Sequence, residues 1–110
     1  MSYNIQAITN FEKEFKKLAK KYPSLKDDLT KLVKELELNP LLGTPIGKSC
    51  HKIRMAITSK GKGKSGGARV ITLVIIASER LYLLSIYDKS DKENISDSEL
   101  LDFIDQIPEE

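Results

Sequence analysis

The 110-residue chain contains one cysteine, Cys50, and one histidine, His51. A lone cysteine excludes an internal disulfide. The two residues cannot complete a zinc site either, because strand neighbours point to opposite faces and no other histidine or cysteine is there to add ligands. Cys50 and His51 are therefore read as structural or incidental, with a phosphate contact by His51 from the basic strand as the lesser alternative, and no metal or cofactor is expected. No apolar run approaches the length of a membrane span, so no membrane partner is expected. The opening Met1-Ser2-Tyr3-Asn4-Ile5 lacks the basic-then-apolar form of a signal peptide. Together with the lone cysteine, this makes the cytoplasm the expected location. Internal repeats and low-complexity tracts are missing too. A composition of 40% hydrophobic and 31% charged residues suits one soluble globular domain over residues 1–110.

The most informative shortage is of acid. Between Glu37 and Glu79 there is no aspartate or glutamate, while the same interval holds Lys48, His51, Lys52, Arg54, Lys60, Lys62, Lys64 and Arg69. The net charge of +2 hides this polarity. Residues 1–69 carry 13 Lys and 2 Arg against 4 Glu and 2 Asp, a balance of +9; residues 70–110 carry 3 basic and 10 acidic side chains, a balance of −7. Such a run points to an anion-binding face. The carboxylate pairs Asp27-Asp28, Asp88 with Asp91, and Glu109-Glu110 are read as surface or cap charges. Nothing places two of them at an apolar cleft, which disfavours an acid-pair hydrolase.

Within the acid-free run, residues 60 to 76 change from alternating lysine and glycine to continuous aliphatics, with Arg69 at the junction. The loop, with Lys60, Lys62 and Lys64, is expected to be a mobile cationic arm. Val70 to Ile76 is expected to be a central strand covered on both faces. A rigid strand that opens on an arginine and follows a basic arm suits a polyanion such as RNA. Gly63-Lys64-Ser65 imitates the end of a P-loop, but Thr58 stands where that motif needs a glycine and a strand follows where it needs a helix. The P-loop is rejected.

In chain order, Ser2 to Ile8 holds a short alternating segment that fits an edge strand. Thr9 and Glu12 have the spacing of a capping box. Phe11, Phe15, Leu18 and Tyr22 then form a helical stripe that should end before Pro23. Ser24 with Asp27 predicts a second cap, and Leu25, Leu29, Leu32, Val33 and Leu36 a second helix ended by Asn39-Pro40. Leu41 to Gly47 is read as a turn-rich connection and Lys48 to Thr58 as a strand, with Lys52 and Arg54 side by side on its less apolar face. A last strand is predicted over Leu81 to Tyr87. After a polar loop, Ser96 and Glu99 cap a closing helix that Pro108 ends. The fold class expected is α+β: an antiparallel sheet with a two-helix hairpin on one face and a C-terminal helix, in the order βααβββα.

This order and several local strings resemble the RelE/ParE superfamily of bacterial toxins, closest to its HigB- or RelE-like messenger RNA interferases. The strings are Phe11-Glu12-Lys13-Glu14-Phe15-Lys16-Lys17-Leu18, Lys20-Lys21-Tyr22-Pro23, Gly43-Thr44-Pro45-Ile46-Gly47, Lys52-Ile53-Arg54, Gly63-Lys64-Ser65-Gly66-Gly67-Ala68-Arg69-Val70-Ile71 and Tyr87-Asp88-Lys89-Ser90-Asp91-Lys92-Glu93-Asn94-Ile95-Ser96. The resemblance implies a RelE-like fold and the toxin of a type II toxin–antitoxin system. Such a toxin enters the ribosomal A site and cleaves messenger RNA there without a metal, using the RNA 2′-hydroxyl as nucleophile. Its implied partners are a cognate antitoxin, the ribosome and messenger RNA.

By the same resemblance Arg69 falls where these toxins place a phosphate-stabilising arginine. Lys52 and Arg54 match basic positions of the preceding strand, and Lys89 and Lys92 the cationic end near the last strand. Some RelE members carry a tyrosine further along, where this chain has Ile95, so Tyr87 is the candidate to stand in for it. The expected catalytic set is Arg69, Lys89, Lys92 and Tyr87, and the expected RNA-binding set Lys52, Arg54, Lys60, Lys62 and Lys64. Two function classes follow: a ribosome-dependent endoribonuclease, or a non-nuclease protein of the same fold (a gyrase poison or an inactive toxin) that acts by protein binding.

Overall fold

A strand that is apolar on both faces is stable only between covering layers. The computed structural model, which describes residues 3–108, places Val70 to Val74 in that position. Met1, Ser2 and the Glu109-Glu110 pair lie outside the described residues. The elements follow as β1 (Asn4–Ala7), α1 (Thr9–Lys21), α2 (Leu25–Leu38), β2 (Thr44–Gly47), β3 (Cys50–Met55), a 3-10 turn (Thr58–Lys60), β4 (Ala68–Ile75), β5 (Arg80–Asp88) and α3 (Asp97–Asp105). The five-stranded sheet has the order β1-β5-β4-β3-β2, which makes β4 its middle strand. Ile76, expected to continue the strand, is 66% exposed at the β4–β5 turn.

The α+β class and the helix hairpin are as expected, and two features of the sheet are additional. β1 pairs parallel with β5, so the sheet is mixed rather than wholly antiparallel. Thr44–Gly47, read as connection, pairs with β3 as a short edge strand. Lys48 and Ser49, assigned to β3 by alternation, instead have positive φ (55° and 63°) and form the turn between the two strands. Four residues containing a proline and a glycine give no strand signal, and only an edge position tolerates the missing amide.

Helix entry also differs from expectation at two of three sites. α1 starts from Ile8 with no side-chain cap. The Ile8 amide bonds the Leu83 carbonyl, so β1 runs directly into the helix and the Thr9–Glu12 box does not form. Ser24 gives α2 no side-chain cap either; its hydroxyl donates to Asp28 and meets Ser59. Only Ser96–Glu99 forms the full reciprocal box. The apolar stripes do what their spacing implies. Phe11 is buried and stacks on Phe15 with ring centroids 6.2 Å apart, and Leu25, Leu32 and Leu36 enter the same core as Val70, Ile71 and Ile86. α1 lies against β5, α2 against β1 and β3, and α3 against β5.

Candidate functional site

The site begins with strand register. β3 and β4 pair antiparallel with Arg54 opposite Arg69 and Lys52 opposite Ile71, and β5 places Tyr87 opposite Arg69. Opposed residues share a sheet face, so Arg54, Arg69 and Tyr87 form one row, and Lys52, two residues along β3 from Arg54, lies on the same face in the next row. A cleft of about 850 Å³ opens over the Lys52, Arg54 and Arg69 part of this face, with Tyr87 outside its lining. Five cations line it: Lys52 and Arg54 from β3, Lys64 from the glycine-rich loop, Arg69 from β4, and Lys89 from just beyond β5. Thr44, Ser65, Asn94, Glu35 and Glu93 add polar groups, and Leu32, Leu42, Gly43 and Ile53 an apolar wall.

Arg69 is 5% exposed. Its Nη1 donates to the carbonyls of Lys64 (3.0 Å) and Ala68 (3.1 Å), and its Nη2 to that of Ser65 (3.0 Å). Three of the five guanidinium N–H donors are thus engaged. Those on Nε and the second on Nη2 have no partner among the described residues. They suffice for one bidentate anion contact. The same bonds mean that the glycine-rich loop is not a free arm. The Gly67 carbonyl also accepts from the Lys89 amide at 3.0 Å, joining loop to strand end. A Cβ on Gly67 would collide with the Met55 carbonyl oxygen, so only glycine permits that approach.

Lys60 does not join the cations of the cleft. Its ammonium lies 2.6 Å from Asp88 Oδ1 and donates to Ser90 Oγ at 2.8 Å, with the Lys60 and Asp88 side chains 11% and 1% exposed. The Tyr22 hydroxyl donates to the other Asp88 oxygen at 2.7 Å, and the Ser90 amide to the first at 2.9 Å. Burial alone would raise the Asp88 carboxyl, but these donors reverse that and hold it far below the ordinary carboxylate range. Asp88 is therefore no surface charge. Asp28 is buried too and accepts from the Thr58 amide (3.0 Å) and hydroxyl (2.6 Å). Burial opposes ionisation there as well, and the Thr58 and Ser24 hydrogen bonds outweigh it, so its carboxyl is lowered. Both aspartates fasten the 3-10 turn that begins the loop.

The other expected residues divide. Lys62 is exposed on the loop but does not line the cleft. Lys92 pairs with Glu99 at 2.9 Å and stands 5.1 Å over the Tyr87 ring. Tyr87 is 6% exposed, and burial raises its phenol above the ordinary value while Arg69 opposes. Its hydroxyl donates to the Glu93 carbonyl at 3.4 Å. Sequence reasoning passed over Glu35, Glu93 and Asn94. Asn94 Oδ1 accepts from Lys52 Nζ at 2.9 Å across 42 residues of chain, a contact that no periodicity announces. Cys50 is buried with its thiol pushed up to about 11 by burial, Lys48 opposing, so it is not a reactive thiolate. Among the described residues no group of His, Cys, Asp or Glu is arranged to hold a metal ion, and no helix is long and apolar enough to cross a membrane.

Known structures share this architecture. The chain is similar to a free E. coli RelE toxin carrying two arginine-to-alanine replacements, with 17% identity over 98% of this chain and 100% of that one and a TM-score of 0.64. It is similar to the toxin–antitoxin complex RelBE2 of Mycobacterium tuberculosis, with 15% identity over 80% and 99% of the two chains and a TM-score of 0.62. For the isolated E. coli RelE toxin the values are 20%, 94% and 99%, and 0.61. At these identities the likeness establishes the fold. The family model described as the RelE toxin of the RelE/RelB toxin–antitoxin system matches residues 9–106. That match runs through every element from α1 to α3, and the chain belongs to the RelE toxin family of toxin–antitoxin systems.

Proposed function

We propose that this toxin cleaves messenger RNA on the ribosome and that a cognate antitoxin restrains it. The observation that carries the reading is the convergence of five cations from separate parts of the chain on one cleft. An RNA strand lying there would meet Lys52, Arg54 and Lys64 along its phosphates, which need point charges rather than a sequence-reading surface. Lys62 would extend the contact along the loop. Attack by a 2′-oxygen on the adjacent phosphorus places extra negative charge on the phosphoryl oxygens. The two uncommitted donors of Arg69 are suited to hold that charge, and their carbonyl-anchored guanidinium is already oriented. Lys89 adds a cation from the strand end. Tyr87 and Lys92 take a positioning role, since one is buried and the other ion-paired.

Family membership supports the ribosome as the place of action, and the RelBE2 complex supports an antitoxin as partner. The competing reading is a RelE-fold protein that acts by binding alone. It draws on the removal of Tyr87, Lys92 and Lys60 from the open site. Mapping cut ends on translating and ribosome-free messages after toxin addition separates the two. Cuts confined to translated, ribosome-occupied codons are expected. Growth arrest with intact messages would establish binding alone.

A further inference from the structure

Cleavage by a 2′-hydroxyl needs a group that takes its proton, and the cations of the cleft are poor acceptors. Arginine stays protonated at cellular pH, and a lysine ammonium has no lone pair to offer. Tyr87 lies beneath the surface and outside the cleft lining. Two carboxylates remain. Glu35 shares a helix face with Leu32, three residues away, beside the apolar wall.

Glu93 is held differently. Before it, Lys92 is fixed by Glu99 at 2.9 Å and by the Tyr87 ring. Its own carbonyl accepts from the Tyr87 hydroxyl at 3.4 Å, and Asn94 after it accepts from Lys52 Nζ at 2.9 Å. Three consecutive loop residues are thus anchored to the helix and to two strands. Glu93 is exposed and is one of the residues lining the five-cation cleft, and among the described residues its carboxylate has no hydrogen-bond or ion-pair partner. An unpaired carboxylate carried on an anchored stretch of loop beside a cationic cleft has the attributes of a proton acceptor.

We propose that Glu93 is the general base of this toxin, an inference that rests on the cleavage reading above. The Glu93 carboxylate takes the proton of the 2′-hydroxyl as O2′ bonds to the adjacent phosphorus. The bond from phosphorus to the 5′-oxygen breaks, and that oxygen leaves with a proton from a cleft ammonium, Lys52 or Lys89. The products are a 2′,3′-cyclic phosphate and a 5′-hydroxyl end, with no change in redox state and no further reactant.

The test is single-turnover cleavage of a short message on programmed ribosomes by wild type, Glu93→Gln, Glu93→Asp and Glu35→Gln, with ribosome binding and thermal melting measured alongside. Glu93→Gln is expected to cut about a hundredfold or more slowly, the scale of losing a positioned base. Its melting should be unchanged and its ribosome binding equal or tighter, since it only removes a negative charge from a cationic cleft. The rise of cleavage rate with pH on the acid side should vanish in Glu93→Gln, and Glu93→Asp should recover part of the rate. A positioning role alone would leave that pH dependence in place. Glu93→Gln cutting at the wild-type rate, or Glu35→Gln showing the loss instead, would overturn the assignment while leaving the nuclease reading intact. A wild type that cuts nothing would overturn both.

Discussion

Arg69 holds the loop carbonyls of Lys64 and Ser65 with donors on the same guanidinium that lines the cleft, so under the proposed function one substitution should disturb two observables. Arg69→Ala is expected to slow cleavage about a hundredfold, the scale of one preorganised donor, and to release the loop, making Lys62 and Lys64 faster tryptic sites. Arg69→Lys should keep a charge but not serve three carbonyls and a phosphate together, so it recovers part of the rate at most. Unchanged cleavage and unchanged proteolysis would remove Arg69 from both roles. Asp88 sets a second test. Its folded carboxyl lies below its unfolded value of about 3.9, so the unfolded chain binds more protons in acid and stability rises with pH there. The contribution is complete above about pH 4 and is lost as pH falls from there towards the folded value, at up to about 1.4 kcal/mol per pH unit for the group. Urea unfolding across that range should show a shallower slope for Asp88→Asn. Removing the partner in Lys60→Met leaves a buried carboxylate short of its cation and should cost about 3 kcal/mol. Stability unaffected by Lys60→Met would show that Tyr22 and Ser90 satisfy Asp88 alone.

At the level of elements, the notable arrangement is how α1 finishes the sheet. β1 pairs with β5 only from Arg80 to Leu83, which leaves the rest of that edge open. α1 runs along it: Asn10 Nδ2 donates to the Leu84 carbonyl at 3.0 Å, and Glu14 Oε1 accepts from Ser85 Oγ (2.7 Å) and the Ile86 amide (3.4 Å). An uncovered strand edge is a template for pairing with another chain. Glu14→Ala should therefore lower stability by about 1–3 kcal/mol, the range for an unsatisfied buried donor, and promote self-association. Denaturant unfolding and sedimentation would read the two effects, and a variant as stable and monomeric as wild type would show that the apolar stripe alone seals the edge. Glu14 looked like one more charge on an amphipathic helix, because helical spacing reports which face is apolar and not what a polar side chain reaches. Spacing placed both helices, β4 and the capped α3 correctly for that reason. It failed at β2, where Pro45 and Gly47 mask a strand held only by its neighbour, and at Thr9 and Ser24, where tertiary bonds replace local caps.

For the molecule as a whole, the acid-free run made Lys52, Arg54, Lys64 and Arg69 visible in advance because strand alternation and charge both survive folding. Lys60 defeated the same logic because its partner Asp88 is 28 residues away and buried, and Glu93 and Asn94 defeated it because loops carry no period. What folding adds to the charge asymmetry is concentration. Lys13, Lys16, Lys17, Lys20 and Lys21 are exposed along α1, and the cleft gathers five further cations. Binding to ribosomes or to single-stranded RNA should then weaken steeply with salt, because each neutralised phosphate releases counterions. Lys62 and Lys64 are exposed, and neither side chain has an ion-pair partner among the described residues. The double change to alanine should lower the logarithmic salt slope by roughly 0.7–0.9 for each phosphate no longer neutralised, so by no more than about 2, with no change in melting temperature. Lys60→Met should do the reverse, lowering the melting temperature while leaving the slope nearly intact, since its ammonium is already neutralised by Asp88. Titrations at several salt concentrations with all three proteins decide the matter. A double variant whose slope equals that of wild type would show that the loop only solvates the cleft's rim and that RNA is held by the strand cations alone.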